Sequence, residues 1–299
     1  MNTILPIFIL MGSGLVLQQL KLFPADTDKT LNLYVIYIAL PALILQQVPG
    51  LVFSSSLLAP FIMPWLVVLF SGVIVLLLCR FMGWSREVTG ALLLMVPLGN
   101  TSFLGIPMIQ HFIGAKGIPY AVLYDQFGSF LALSSYGSLV LAFYSPSARP
   151  GFFPIIQRIL LFPPAIALVT ALYFHGITYP AWFGSLLSMT AKSMVPVVMV
   201  AIGFQMRLLL DKHDLLPLTC GLILRLLIVP TVFILSCKAL GISGLAVHVS
   251  LLETAMPPMV TAGALASIAG LRPELSSAMA AYGILLSFFT LPLINIWIK

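Results

Sequence analysis

Apolar residues fill the chain in long runs, and polar residues collect in short stretches between them. About 20 consecutive apolar residues are enough for a helix to cross the hydrocarbon core of a bilayer. Ten such segments are predicted, at 2–20, 30–49, 58–79, 88–112, 118–144, 152–175, 181–206, 215–238, 244–270 and 275–297. The connections are too short to hold a soluble domain, so the pattern predicts an all-α polytopic membrane protein with ten transmembrane helices in the lipid bilayer.

The composition indicates the same class of protein. The chain is 61% hydrophobic and 7% charged, with a mean hydropathy of +1.13, whereas a soluble domain has about 25% charged residues. The sequence contains no HExxH zinc motif, no pair of CxxC motifs and no GxxxxGK phosphate loop. We therefore expect no enzymatic activity, no bound metal and no cofactor.

The distribution of lysine and arginine predicts how the chain is oriented. Cytoplasmic loops of membrane proteins carry an excess of these residues. The odd-numbered connections hold nine of them: Lys21, Lys29, Arg80, Arg86, Arg149, Arg158, Arg207, Lys212 and Arg272. The even-numbered connections and the C-terminus hold three: Lys116, Lys238 and Lys299. We expect the odd connections to be cytoplasmic and both termini extracytoplasmic. No basic stretch is interleaved with aromatic residues, so nucleic acid is not an expected partner.

The fourth apolar segment is interrupted by the stretch "MVPLGNTSFLGIP" at 95–107, which contains two prolines and two glycines. An offset of 160 residues aligns it with the ninth segment, matching Leu92 with Leu252, Pro97 with Pro257 and Thr101 with Thr261. Each interrupted segment is the fourth in a set of five, which indicates an internal duplication. Because five spans are an odd number, the second set must enter the membrane in the opposite orientation. The predicted repeats are 1–144 and 152–299.

Two interrupted helices at matching positions of inverted repeats are expected to meet near the membrane midplane. Backbone groups freed by proline are tolerated at that depth only inside protein or along a wet cavity. Secondary transporters place anionic groups against such half-helix N-termini. The predicted substrate-binding residues are Gly99, Asn100, Thr101, Pro257, Pro258, Thr261 and Arg225. The alternative is an ordinary proline kink in each helix.

Ionisable residues inside predicted membrane helices are costly unless they are paired or hydrated. Arg225 is expected either to bind a substrate carboxylate or to pair with Glu253 or Asp125. Glu253 precedes Pro257 by one turn and is a candidate for titration during transport. Asp125 is expected nearer the outer face, on a hydrated cavity wall or half exposed, with proton coupling as the alternative. Lys192 is expected to extend toward the interface or to line the substrate path.

Several stretches resemble the auxin efflux carrier family of plants and bacteria. They are "LNLYVIYIALPALIL" (31–45), "GNTSFLGIPMIQHFIG" (99–114), "VPVVMVAIGFQM" (195–206), "LILRLLIVP" (222–230), "ETAMPPMVTAGALA" (253–266) and "LLSFFTLPLI" (285–294). The resemblance implies two inverted five-helix repeats with crossed helices 4 and 9, similar to sodium/proton antiporters, bile-acid symporters and related arsenite and riboflavin transporters. It also implies a transport domain from spans 3–5 and 8–10 that moves against a scaffold from spans 1, 2, 6 and 7, through which a homodimer forms.

The family also implies organic anions as substrates, such as auxin or dicarboxylates. Plant carriers have an asparagine at each break, but here only Asn100 matches, since the second break reads "MVT" at 259–261. The short link "YSPSARPG" between spans 5 and 6 favours a bacterial-type member in an inner membrane. We therefore expect a carrier of a small organic anion working by alternating access. A sodium-coupled symporter of the bile-acid type, or an anion channel or receptor, is the alternative, and coupling to protons, to sodium or to neither stays open.

Overall fold

The structure is a computed structural model that describes residues 4–50, 57–145, 161–176, 179–206 and 212–299. These ranges form twelve helices and contain no β-strand. The helices are α1 (Ile4–Gln19), α2 (Thr27–Gly50), α3 (Leu58–Met82), α4 (Arg86–Met95), α5 (Ile106–Phe112), α6 (Ala115–Tyr144), α7 (Pro163–Tyr173), α8 (Ala181–Gln205), α9 (Leu215–Ala239), α10 (Leu245–Thr254), α11 (Val260–Ile268) and α12 (Pro273–Ile298).

Six of these helices, α2, α3, α6, α8, α9 and α12, are long and apolar enough to cross a membrane. Their outward surfaces carry large apolar side chains, among them Phe81, which is 88% exposed, and Phe289 and Leu293. Soluble proteins rarely expose extended apolar surface of this kind, whereas lipid covers it without cost. The protein is therefore an all-helical, multi-pass membrane protein.

The helices coincide with the predicted apolar segments. The fourth segment (88–112) holds α4 and α5, and the ninth (244–270) holds α10 and α11, so both are interrupted where the prolines predict. The first part of the segment at 152–175 lies outside the described residues, and α7 covers its second part.

Helix packing divides the described residues into two groups. Helices α1, α2, α7 and α8 pack mainly on one another, whereas α3 to α6 pack mainly with α9 to α12. Within the first group, α1 and α8 approach backbone to backbone at Gly14 and Gly203. A side chain on Gly14 would overlap the carbonyl of Val200, and one on Gly203 would overlap the carbonyl of Met11. Such small residues permit close helix contacts in membranes.

Candidate functional site

The interruptions of the fourth and ninth segments lie against each other. The amide of Asn100 donates to the carbonyl of Pro257 at 2.8 Å, and the amide of Met259 donates to the carbonyl of Leu98 at 2.9 Å. These two bonds form an isolated antiparallel bridge between Gly99 and Pro258. Proline cannot continue a helical ladder, so each interruption satisfies backbone groups on the other. We call residues 96–100 and 255–259 together the crossover.

Arg225 lies behind the crossover, in a π-helical turn of α9 (Leu224–Ile228), and is 1% exposed. Its Nε donates to the carbonyl of Met256 at 2.7 Å, and its Nη1 donates to the carbonyls of Val96 and Pro97 at 3.1 and 3.2 Å. These carbonyls follow the C-terminal ends of α4 and α10, where the helix dipoles concentrate negative charge. The guanidinium therefore binds both halves of the crossover, and its hydrogen bonds go to neither Glu253 nor Asp125.

Gly99 leaves the space that the guanidinium fills. A Cβ atom at Gly99 would overlap Nη2 of Arg225. The predicted residue Gly99 is thus required by the approach of Arg225, while Pro257 and Pro258 supply the opposite strand of the bridge.

Asp125 is 2% exposed and lies in a π-helical turn of α6 (Tyr124–Phe130). Its Oδ1 accepts hydrogen bonds from Thr101 Oγ1 at 2.5 Å and Ser102 Oγ at 2.7 Å, and its Oδ2 accepts one from Gln126 Nε2 at 2.7 Å. Of the two expected positions, the half-exposed one is wrong, and Asp125 instead lies in the wall of a cavity. Because α6 begins at Ala115, Asp125 lies about 15 Å along the helix, at 1.5 Å per residue, where it contacts Thr101 and Ser102 directly after the crossover.

Glu253, in the last turn of α10, is fully buried, and neither carboxyl oxygen has a hydrogen-bond partner among the described residues. Its carboxyl group lies against Gly105, where a Cβ atom would overlap it. The neighbouring Thr254 Oγ1 is 3.2 Å from the hydroxyl of Tyr124. The expected pairing of Glu253 with Arg225 is therefore not a hydrogen-bonded one.

A cavity of about 320 Å³ lies between α2, α6 and the start of α11. Its polar lining consists of Ser102, Asp125, Ser134, Thr261 and the hydroxyl-bearing Tyr37. The rest of its lining is apolar, with Phe103, Phe130 and Phe162 contributing aromatic rings and Phe130 stacking on Phe162 at 3.8 Å between ring centroids. Its volume is within the usual range for small-molecule sites.

The structure thus brings only some of the predicted site residues to one place. Asp125 and Thr261 line the cavity, while Asn100 and Thr101 are buried beside it, at 3% and 0% exposure. The amide Nδ2 of Asn100 has no partner within the described ranges. Lys192 lies apart, exposed at a break in α8 and bordering a separate open groove with Ser185 and Ser188. Sequence reasoning missed Ser102, although it directly follows Asn100 and Thr101.

Two interrupted helices that meet inside a multi-pass membrane protein are a feature of secondary transporters. The chain belongs to the membrane transport protein family, the auxin efflux carrier family, which it matches over residues 1–146 and 153–295. It is similar to an uncharacterized transporter of Methanothermobacter thermautotrophicus, at 28% identity over 98% of this chain and 96% of the relative. It is also similar to one of Methanocaldococcus jannaschii, at 29% identity over 99% and 97%. The resemblance predicted from the sequence is confirmed, and the protein is a membrane transporter.

Proposed function

We propose that the protein is a secondary carrier that moves a small organic anion by alternating access. The observation that carries the proposal is the N-terminal end of α11, which opens toward the cavity through Met259 and Thr261. The first amides of a helix have no partner inside the helix and attract anions. The substrate carboxylate would bind these amides and the hydroxyl of Thr261.

The charges around the crossover support an anion rather than a cation at this position. Arg225 already binds the carbonyl ends of α4 and α10, which are the groups that would otherwise coordinate a cation. Asp125 already accepts hydrogen bonds from the hydroxyls of Thr101 and Ser102 at the first break. Among the described residues, this leaves the amides at the α11 N-terminus, the side-chain amide Nδ2 of Asn100 and the hydroxyl of Ser134 in the cavity lining as unpaired donors. Arg225 would therefore not contact the substrate directly. Its positive charge would act on the substrate anion from the far side of the crossover.

The cavity favours a monocarboxylate with an apolar body over a dicarboxylate. Its lining contains no lysine or arginine among the described residues, and it contains the carboxylate of Asp125. A second substrate carboxylate would lie in aromatic surroundings or beside Asp125, where repulsion and desolvation would oppose binding. The aromatic rings instead suit an apolar substrate body.

The ten-span architecture belongs to the same proposal. Two inverted repeats, 1–144 and 152–299, would place both breaks at the membrane midplane. The packing of α1, α2, α7 and α8 on one another supports a scaffold, through which two copies would dimerise, and the remaining helices would form the moving domain. In this arrangement both termini are extracytoplasmic in the cell membrane, and Lys192 lies on the scaffold outside the substrate cavity.

Flux of labelled carboxylates into proteoliposomes tests the proposal. Indole acetate, malate and malonate would be compared under separately imposed pH, sodium and voltage gradients. We expect saturable uptake of the aromatic monocarboxylate and weaker uptake of the two dicarboxylates. Non-saturating current would indicate a channel, binding without flux a receptor, and sodium-driven uptake a symporter of the bile-acid type. A channel or a receptor would overturn the proposal, whereas sodium-driven uptake would keep the carrier and identify sodium as its coupling ion.

A further inference from the structure

Two carboxyl groups lie buried near the crossover, and their surroundings differ sharply. Asp125 accepts three side-chain hydrogen bonds, from Thr101, Ser102 and Gln126. Glu253 is just as deeply buried but accepts none within the described part of the chain. An ionised carboxylate inside a membrane protein costs several kcal/mol unless it is paired or hydrogen-bonded. Asp125 is therefore placed to stay ionised, whereas Glu253 is placed to hold a proton in this conformation.

The groups around Glu253 are few. Within the described ranges, Asp125 and Tyr124 on α6 and Arg225 on α9 are the ionisable residues that act on it electrostatically. Helix α3, which also packs on α10, carries no ionisable side chain between Leu58 and Leu78.

Other ionisable groups on and around α10 are engaged away from Glu253. His248, five residues earlier on α10, has its Nε2 3.0 Å from Asn295 Oδ1 of α12. Lys238, at the end of α9, donates to the carbonyl of Trp297 at 2.7 Å. His111 on α5 packs its ring against Phe112.

We propose that Glu253 is the proton-carrying group of this transporter and that it couples one proton to each substrate anion in the same direction. The inference rests on the proposed function. With Glu253 protonated, the charges of Arg225 and Asp125 cancel and a bound anion leaves one net negative charge. With Glu253 ionised, the same bound anion would leave two. Anion and proton therefore favour each other's binding, and this coupling is reciprocal. Movement of the α10 end toward water would let Glu253 release the proton together with the substrate.

Gly105 is the structural feature that makes room for this group. Because a side chain there would overlap the Glu253 carboxyl, the second half of the interrupted fourth segment closes around the carboxyl without offering it a donor. The site excludes water in this conformation, as required if the proton is to be exchanged only when the helix moves.

The substitution Glu253→Gln tests the proposal, because glutamine keeps the size of the side chain and cannot titrate. Wild-type protein in proteoliposomes should accumulate substrate when an inward-directed proton gradient is imposed. The variant should lose this gradient-driven accumulation while still exchanging labelled for unlabelled substrate. Glu87→Gln, the same change at an exposed site at the start of α4, should accumulate substrate like wild type.

Equilibrium binding provides a second measurement that does not depend on the vesicle assay. The wild-type Kd should fall by up to about tenfold for each unit of falling pH where Glu253 titrates, since one proton is linked to one anion. In Glu253→Gln the Kd should not change with pH. If the variant does not fold, proton uptake by wild-type protein on substrate addition decides the question. It is measured in weak buffer at a pH high enough for Glu253 to be ionised before substrate binds, and up to about one proton per anion is expected.

The outcomes separate the two proposals. No saturable flux of any carboxylate by folded wild-type protein would overturn the proposed function. Three results would overturn the role of Glu253 alone. They are saturable flux that an imposed proton gradient does not drive, a wild-type Kd that does not change with pH, and substrate accumulation by Glu253→Gln that a proton gradient still drives.

Discussion

The guanidinium of Arg225 donates to the carbonyl of Met256 at 2.7 Å and, through Nη1, to the carbonyls that follow α4. One side chain from α9 thus joins the two breaks, which are also joined by the Gly99–Pro258 bridge. The breaks are irregular backbone in a buried setting, and irregular backbone at that depth requires donors. Arg225 supplies these donors, and its positive charge also offsets the negative C-terminal ends of α4 and α10.

Replacing Arg225 should destabilise the protein. Arg225→Met would leave the three carbonyls without their side-chain donor, and we expect a loss of about 3 kcal/mol, since each lost partner of a buried group costs about 1–3 kcal/mol. The stability of Arg225→Lys should lie between those of wild type and Arg225→Met, because an ammonium group lacks the fixed geometry with which the guanidinium reaches both breaks. Thermal unfolding in detergent measures the effect. Arg80→Met, at an exposed site at the end of α3, is the control and should unfold like wild type; equal stability of the two methionine variants would contradict the role of Arg225.

Gly99→Ala should displace Arg225. The added methyl group would overlap Nη2, so the guanidinium must move and lose at least one hydrogen bond, at a cost of about 1–3 kcal/mol. Gly12→Ala in α1 is the matched control, because a Cβ atom there meets no atom within 4 Å. That control should be neutral or slightly stabilising, since alanine favours helix. Unfolding midpoints and substrate flux of both variants would be compared, and a Gly99→Ala protein that matches wild type in both would rule out the tight fit.

The positions of the breaks could be predicted from the sequence because their cause is local. Pro97, Pro257 and Pro258 each remove a backbone donor, and the aligned positions identify the partner break. The tertiary partners of Arg225 could not be predicted in the same way. They are carbonyl groups of two distant segments, and every residue has a carbonyl, so no residue type marks them.

The burial of Asp125 was not predicted from the sequence for a related reason. The apolar pattern places the start of the fifth segment near 118, but α6 begins at Ala115, and Asp125 lies in a π-helical turn that the pattern does not predict. Ten residues of helix, about 15 Å, separate Asp125 from the start of α6 and bring it to Thr101 and Ser102. The hydroxyls of Thr101 and Ser102 donate hydrogen bonds to its carboxylate there. This contact depends on helix packing and not on spacing within either segment.

Asn100→Ala should reduce transport strongly while leaving the protein folded. The side-chain amide Nδ2 is buried and has no partner in the described part of the chain, so its removal costs little stability in the substrate-free protein. A hydrogen bond to a charged group contributes about 1.5–3 kcal/mol, so we expect at least a tenfold loss of flux. Monodispersity and unfolding temperature would be measured beside flux, and wild-type flux by a folded, monodisperse variant would remove Asn100 from the proposed site.

Thr261→Val should raise the KM for a monocarboxylate by about tenfold, because the variant keeps the shape of the side chain and removes one hydroxyl donor to the substrate. Thr261 lies in the first turn of α11 and its side chain is exposed to the cavity, so the fold does not depend on this hydroxyl. Thr219→Val is the matched control: its hydroxyl donates to the carbonyl of Leu215 on the exposed side of α9, and KM should not change. Concentration-dependent uptake into proteoliposomes measures the KM of both variants. An unchanged KM in Thr261→Val would mean that the substrate carboxylate does not bind the hydroxyl of Thr261. The side-chain amide Nδ2 of Asn100, unpaired among the described residues, would then be a donor near the crossover to which an anion could bind.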